Sequence, residues 1–553
     1  MGQVGESRRD AAADRARRLA RRFFQLPVMR AYYEAATGAS KGGDAMLAAI
    51  AALLAFAALA AHVGGMYDSD GWFLLATGRE VLEGGIPLEN PFSQEAGLGI
   101  VVQQWAHDAY LAAAWAIGGF HAAEAAMALP IGLAAGGLWL VAGALSQRRA
   151  RPALRLLVAA GALWMCSPYL SVRPTSWSMA LMCASILACL AGREHPAAYA
   201  ALPAIAAAWC NLQAALWPLA VFVGACFLLP RDRGELRDGA ASWLRSRKWL
   251  IAALAASCLA SLANPYGLKG SLYSLLSMGA ASYSGAIMEM KSPLEALPPV
   301  EVVAICVGML LPFALCRGKR PPLPVPVAAM LACACAAFLL CTRNVWILGV
   351  AFAFSMSAAI APADPQAEGS ERGLPAKAAA AVWAAAVSLG FAASMAFGAF
   401  GAGEVLAPAD ASDGAGMSPL SSWEGGEESL APIADAIGRW GDARGIETPR
   451  VMVTVDASSS VLEWLGVAVP FDLRPEIWDS VAITGRGGYR PWADFVDGIC
   501  SGDAEAERAY VEDGGWNLCV CQSARSEELI EKYGLEPVAS TDAFSLLALP
   551  QGR

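Results

Sequence analysis

Apolar residues in this chain come in blocks of roughly 15 to 25, separated by short polar links, and this spacing constrains the fold more than any other feature. Blocks of that length, wound as helices, match the hydrocarbon thickness of a bilayer. Helices also satisfy their own backbone groups where water is absent. Of the 553 residues, 56% are hydrophobic and 16% charged, and the mean hydropathy is +0.44. Soluble domains carry nearer a quarter charged residues, so the composition excludes an ordinary soluble protein. It also excludes a nucleic-acid binder, because the basic residues sit in short links rather than on one broad face.

About eleven spans are expected, near 45–64, 122–145, 153–169, 174–191, 197–211, 213–230, 249–263, 299–316, 322–341, 344–362 and 377–401. Charge sets their direction. Arg8, Arg9, Arg15, Arg17, Arg18, Arg21, Arg22 and Arg30 precede the first span and place the N-terminus inside. Residues 1–43 read as a basic amphipathic segment on the inner leaflet. The links then expected inside hold Arg148, Arg149, Arg151, Arg155, Arg193, Arg231, Arg233, Arg237, Arg245, Arg247, Lys248, Arg317, Lys319, Arg320, Arg372 and Lys377. Those expected outside hold Arg79, Arg173, Lys269, Lys291 and Arg343 alone. Trp105–Gly118 is apolar enough to span, but a span there would put the four-arginine link outside. It is read as a helix in or dipping into the outer interface.

The predicted class is therefore a polytopic α-helical membrane protein, with a membrane domain over 44–401, a long first outer loop over 65–121 and a soluble domain over 402–553. From Ala402 onward there are 26 acidic and 10 basic residues, against a net charge of −9 for the whole chain, so the membrane part is net positive. The odd span count puts this acidic region outside. It reads as a small α/β domain. Strands are expected over Val451–Val455, Val467–Phe471, Trp516–Cys521 and Phe544–Leu547, with helices over Glu428–Arg444, Ser458–Leu465, Ala504–Val511 and Ser526–Tyr533. The membrane-region cysteines act as small hydrophobes, while Cys500 is a candidate to pair with Cys519 or Cys521. The four histidines (His62, His107, His121, His195) show no metal-ligand spacing.

The outer ends of the spans collect an unusual polar set. Asp68-Ser69-Asp70 follows the first span and opens an apolar segment, Gly71–Leu82, that is expected to lie in the outer interface. Asp-Ser-Asp alone can also be read as a helix N-cap. Arg173-Pro174 and Thr342-Arg343-Asn344 form very short outer turns. Asn211 and Gln213, Asn264-Pro265-Tyr266-Gly267, and Glu289 with Lys291 complete the set. An arginine at a helix end ordinarily snorkels to the headgroups. Convergence of two arginines with two carboxylates on one face instead suits a lipid-phosphate ligand and a base or a divalent cation, Mg or Mn.

These residues resemble the GT-C class of glycosyltransferases, through bacterial multispan relatives of that class. The stretch Asp68-Ser-Asp70-Gly-Trp72 through Thr77-Gly78-Arg79, Gly85-Ile-Pro87, Asn90-Pro91-Phe92-Ser93 and Gln104-Trp105 resembles the family's first outer loop. Arg173-Pro174, Trp209-Cys-Asn211-Leu212, Asn264-Pro265-Tyr266-Gly267, Arg343 and Phe471-Asp472-Leu473-Arg474 resemble its later landmarks. The chain departs from the pattern at Leu74, where the family often has His, and at Gln213-Ala214, where it has His-Gly. The resemblance implies sugar transfer from a polyprenyl-phosphate donor to an acceptor at the outer face of a bacterial plasma membrane. It implies Asp70 as base, with Asp68 orienting it or joining it on a metal. Arg173, Arg343 and Arg79 would hold the donor phosphate, and Gln104, Asn211, Gln213, Asn264, Tyr266, Glu289 and Lys291 would line the substrate site. Two other classes compete: a lipid-linked saccharide binder or translocator without chemistry, and a membrane anchor for a working soluble domain.

Overall fold

The computed structural model describes residues 68–146, 152–231, 235, 240–277, 287–315, 323–360, 383, 385–389, 391, 420 and 423–550, together with Ala55 and Leu59. The basic segment 1–43, almost all of the first and last expected spans, and the arginines at 148, 149, 151, 233, 237, 317, 320 and 372 lie outside the described residues.

The expected first outer loop opens with α1 (Asp70–Glu83) and closes with α2 (Trp105–Ala126). Inside α2, Gly118 (φ −162°, ψ 32°) and Gly119 (φ 63°, ψ −155°) leave helical geometry, so the rod breaks there. Only glycine adopts the Gly119 conformation without steric cost. The membrane-type body follows: α3 (Ala128–Ala142), α4 (Pro152–Cys166), α5 (Thr175–Glu194), α6 (Ala201–Leu212), α7 (Pro218–Leu228), α8 (Ala240–Ala260), α9 (Pro299–Leu315), α10 (Val325–Leu340) and α11 (Val345–Ala359). Among the described residues, Trp105–Ala142 and Thr175–Glu194 are the helical stretches long and apolar enough to cross a membrane. Ala153–Tyr169, Ala214–Leu228, Pro299–Leu310 and Val325–Leu340 are shorter apolar helices.

Helices stand over each described span, but α6 and α7 are shorter than the spans predicted at 197–211 and 213–230. They have 12 and 11 residues, and at about 1.5 Å per residue neither reaches the roughly 30 Å of a hydrocarbon core. Proline explains the breaks. Pro196 opens a 3-10 turn before α6, and Pro218 opens α7 after an extended Gln213 and a second 3-10 turn over Ala214–Leu216.

The core of the body runs through Ile131 and Leu138 of α3, Met179, Met182 and Ile186 of α5, and Leu348 and Phe354 of α11, all buried. Small residues let these helices approach closely. A methyl group on Gly137 would sit 2.8 Å from the Cys183 Cβ, and one on Gly349 would sit 2.9 Å from the Cys166 sulfur. Cys166, Cys183 and Cys189 are buried and free, as small hydrophobes are.

Beyond residue 422 the chain forms an α/β unit. Its four-stranded sheet has the order β1-β2-β4-β3, with β1 (Val451–Val453) parallel to β2 (Leu518–Gln522). β3 (Glu536–Ser540) and β4 (Phe544–Ala548) are antiparallel neighbours. Four helices accompany it, α12 (Trp423–Asp442), α13 (Asp456–Trp464), α14 (Ala504–Asp513) and α15 (Ser523–Tyr533). Leu430, Ile433, Ile437 and Trp440 line the buried face of α12, as their spacing predicts.

Three expectations are corrected here. Val467–Phe471 is not a strand of the sheet. Val469 instead bridges to Ser93 of the outer loop, its amide donating to the Phe92 carbonyl at 2.8 Å. The sheet's outer strand is β3, whose exposed Glu-Pro-Val-Ala-Ser carries no apolar alternation to read. The pairing of Cys500 with Cys519 or Cys521 is absent: all three are free, Cys519 and Cys521 buried on β2 and Cys500 exposed. Finally, the apolar segment Gly71–Leu82 does not owe its cover to lipid alone. Gly71 to Gly78 are buried against protein: α2 on one side and α13 of the α/β unit on the other.

Candidate active site

α1 starts at Asp70, so the Asp68-Ser69-Asp70 triplet forms its N-terminal boundary. Ser69 holds the cap position but makes no side-chain cap bond. Asp68 does that work: its Oδ1 accepts the Asp70 amide at 3.1 Å, and its carbonyl accepts the Gly71 amide at 2.8 Å. The cap and ion-pair roles of the triplet are therefore compatible, because Asp68 fills both.

Arg173 is the hub. It lies in the turn before α5, immediately ahead of Pro174. Its Nε donates to Asp68 Oδ2 at 2.7 Å and lies 2.9 Å from Asp70 Oδ2. Its Nη2 donates to Asp68 Oδ1 at 3.1 Å, and its Nη1 donates to Glu289 Oε1 at 2.9 Å. The same Glu289 oxygen lies 3.3 Å from Nη1 of Arg343, in the turn between α10 and α11. Five side chains from four separate parts of the chain thus meet at one end of the bundle. They are recessed: exposure is 15% for Asp68, 17% for Asp70 and 20% for Arg173, rising to 28% for Glu289 and 32% for Arg343. The cluster is open on the Glu289–Arg343 side.

Two guanidiniums face three carboxylates, and the excess negative charge falls on Asp70. Burial pushes its carboxyl up, Arg173 pulls it down, Asp68 pushes it up again, and the result is about 7. Asp68 goes the other way. Burial raises it, but the charge and hydrogen bonds of Arg173 and the Asp70 amide outweigh burial and hold it below the usual carboxylate range. Burial works against the charge on Arg173 as well, yet Asp70, Asp68 and Glu289 hold it firmly protonated. One carboxylate is thus a fixed anion, while its neighbour two residues on gains and loses a proton near neutrality. Among the described residues no group of three or more His, Cys, Asp or Glu side chains is arranged to hold a metal ion. The bonds that Asp68 and Asp70 would offer a cation go to the Arg173 guanidinium.

The other candidates lie apart from this cluster. Arg79 donates to the Trp464 carbonyl at 2.8 Å and stacks 4.3 Å over the Trp464 ring. Asn211 accepts from Trp105 Nε1 at 2.8 Å and donates to the Ala207 and Ala263 carbonyls. Gln213 is buried and accepts from Ser178 Oγ at 2.6 Å. Gln104 is buried at the head of α2. Asn264 closes its own turn, donating to the Ser261 and Gly267 carbonyls and accepting the Tyr266 amide. The Tyr266 hydroxyl donates to the Pro87 carbonyl at 2.9 Å. The Lys291 carbonyl accepts from both the amide and the hydroxyl of Thr342 at 2.9 Å, which ties the Glu289 segment to the Arg343 turn.

A second buried charge network packs against α1. Arg474 donates to Asp472 from both Nε and Nη2, approaches Glu463 Oε2 at 3.8 Å, and donates from Nη1 to Thr77 Oγ1 of α1 at 3.0 Å. Its guanidinium lies 4.4 Å over the Phe73 ring. The only sequence signal for it was the Phe471-Asp472-Leu473-Arg474 motif.

No family model matches the chain, and no curated protein matches it. Among solved structures it is similar to ArnT from Cupriavidus metallidurans bound to undecaprenyl phosphate. The identity is 14% over 93% of this chain and 99% of that one, with a TM-score of 0.43. It is similar to the archaeal oligosaccharyltransferase AglB from Archaeoglobus fulgidus, in complex with an inhibitory peptide and a dolichol-phosphate. There the identity is 12% over 92% of this chain and 74% of that one, with a TM-score of 0.49. The apo state of the same ArnT is similar at 16% identity over 92% and 98%, with a TM-score of 0.36.

Proposed function

We propose that this chain is a GT-C-like membrane glycosyltransferase, with about eleven spans, that moves a sugar from a polyprenyl-phosphate donor to an acceptor hydroxyl at the outer face of a membrane. The observation that carries the reading is the pair Asp68 and Asp70 on one arginine, with the Asp70 carboxyl brought to about 7. A general base works best when its pKa lies near the working pH. Asp70 takes the proton of the attacking hydroxyl while Asp68, kept ionised, holds Arg173 in place.

The leaving group is a lipid phosphate. Arg173 and Arg343 flank a single carboxylate oxygen of Glu289, and an oxygen between two guanidiniums occupies the position a phosphate oxygen would take. The donor phosphate thus competes with Glu289 for both cations, which then stabilise the charge that grows as the sugar departs. The hydroxyl oxygen bonds to the anomeric carbon, the carbon–phosphate-oxygen bond breaks, the proton goes to Asp70, and the electron pair leaves on the phosphate. Undecaprenyl phosphate and dolichol phosphate are ligands of this chemical class. In this reading Arg173 supplies positive charge to both aspartates.

Purified protein in lipid, given a polyprenyl-phosphate sugar and membranes as acceptor source, is expected to release free polyprenyl phosphate and to do so in the presence of a chelator. Binding of the donor without release would instead favour a carrier or translocator of lipid-linked saccharides.

A further inference from the structure

We propose that Arg474 of the α/β unit is a positioning residue for Asp70, acting through α1, so that the soluble unit is part of the catalytic apparatus and not an appendage to it. The inference rests on the reading of Asp70 as the base. Asp70, Phe73 and Thr77 fall at i, i+3 and i+7 of α1 and so share one face of the helix. Arg474 grips that face twice, by its hydrogen bond to Thr77 Oγ1 at 3.0 Å and by its stack over Phe73 at 4.4 Å. Phe73 is a single turn, roughly 5 Å, from Asp70.

The grip is rigid. Arg474 is buried and held by Asp472, and Glu463 adds a second carboxylate from the end of α13. A guanidinium in a fixed fork transmits orientation in a way a flexible ammonium cannot. The neighbouring face of α1 is clamped as well. Trp72 packs 6.1 Å from both Trp115 of α2 and Trp464 of α13, and Arg79 is stacked on Trp464. Contacts on both faces oppose rotation of α1 about its axis, with the Asp70 carboxylate turned toward Arg173. The largest charge effects on the Asp70 carboxyl come from Arg173, Asp68, Arg343 and Glu289; Arg474 touches α1 through Thr77 and Phe73 instead.

The test reads Asp70 directly, without relying on turnover. A water-soluble carbodiimide with a labelled amine modifies protonated carboxyls, and peptide mass spectrometry gives the midpoint of Asp70 labelling against pH in the full chain. For Arg474→Met the midpoint is expected to move by about one pH unit, upward where Asp70 swings away from Arg173 and downward where water reaches it. Thr77→Val removes just the bond that reaches α1, leaves the Arg474–Asp472 pair intact, and is expected to shift the midpoint the same way by about half as much. Because Thr77→Val buries no unpaired charge, it tests the proposal even where Arg474→Met fails to fold. Midpoints within about 0.2 units of wild type in the folded variants would overturn the proposal. A wild-type protein that shows the raised Asp70 midpoint but transfers no sugar would defeat the proposed function and leave the coupling standing.

Discussion

Asp70 can act as a base only after losing a proton that its surroundings encourage it to keep. Transfer should therefore climb with pH along a limb centred near 7, read as kcat/KM across about pH 5 to 9. Asp70→Asn should remove that limb and cost about a hundred- to ten-thousand-fold in rate, while the protein inserts and folds as before. The two aspartates also pull stability in opposite directions. Asp70, with a raised folded pKa, contributes stability at acid pH that is lost as pH rises from about 4 toward 7. Asp68, with a lowered one, contributes stability present above about pH 4 and lost as pH falls through its folded value. Thermal midpoints of Asp70→Asn and Asp68→Asn, measured against pH, should diverge accordingly. Arg173→Lys keeps the charge but loses the fork that spans three carboxylates, so donor KM should rise and stability should fall by about 1–3 kcal/mol.

Much of this cluster was legible in the sequence because it obeys a simple count. Cations are scarce on the expected outer links, so Arg173 and Arg343 stood out beside the carboxylates. The polar residues nearby misled for a related reason. Asn211, Gln213 and Asn264 look free in a linear reading, but each spends its side chain on a turn or a helix contact that only the tertiary arrangement reveals.

At the level of single elements, α1 shows where period and composition stop being enough. Its apolar run reads as interfacial because nothing in the sequence says which surface covers it. The cover is α2 and α13, and the contact with α2 is close. A methyl group on Gly78 would lie 2.1 Å from the Asp108 carbonyl oxygen. Gly78→Ala should therefore force the two helices apart and cost about 1–3 kcal/mol, despite the better helix propensity of alanine. A thermal midpoint unchanged or raised in Gly78→Ala would contradict the close packing. The strand expected at Val467–Phe471 failed in the same way. Val469 and Phe471 are buried, as the pattern says, but the backbone pairs with Ser93 across more than three hundred residues of sequence.

For the molecule as a whole, the consequence is that the first outer loop and the α/β unit fold together. Gln94 donates to the Val451 and Ala468 carbonyls, Glu95 pairs with Arg450 and Arg486, and Arg474 reaches Thr77. Composition alone separates an acidic C-terminal part from an apolar, net-positive one, and an α/β unit stands over 423–550. It gave no hint that the buried charges of the first would brace a helix belonging to the second. A protease site inserted among residues 402–419 should accordingly yield two fragments that co-purify after cleavage and retain transfer activity. Separation of the fragments in mild detergent would contradict the docking.

The central claim is that Asp70, poised by Asp68 and Arg173, is the base for sugar transfer from a lipid phosphate. The most direct test compares wild type and Asp70→Asn for release of free polyprenyl phosphate from a polyprenyl-phosphate sugar, with donor binding measured in parallel. Asp70→Asn is expected to bind donor through Arg173 and Arg343 and to release lipid phosphate at least about a hundredfold more slowly than wild type. Release at the wild-type rate by Asp70→Asn would contradict the claim.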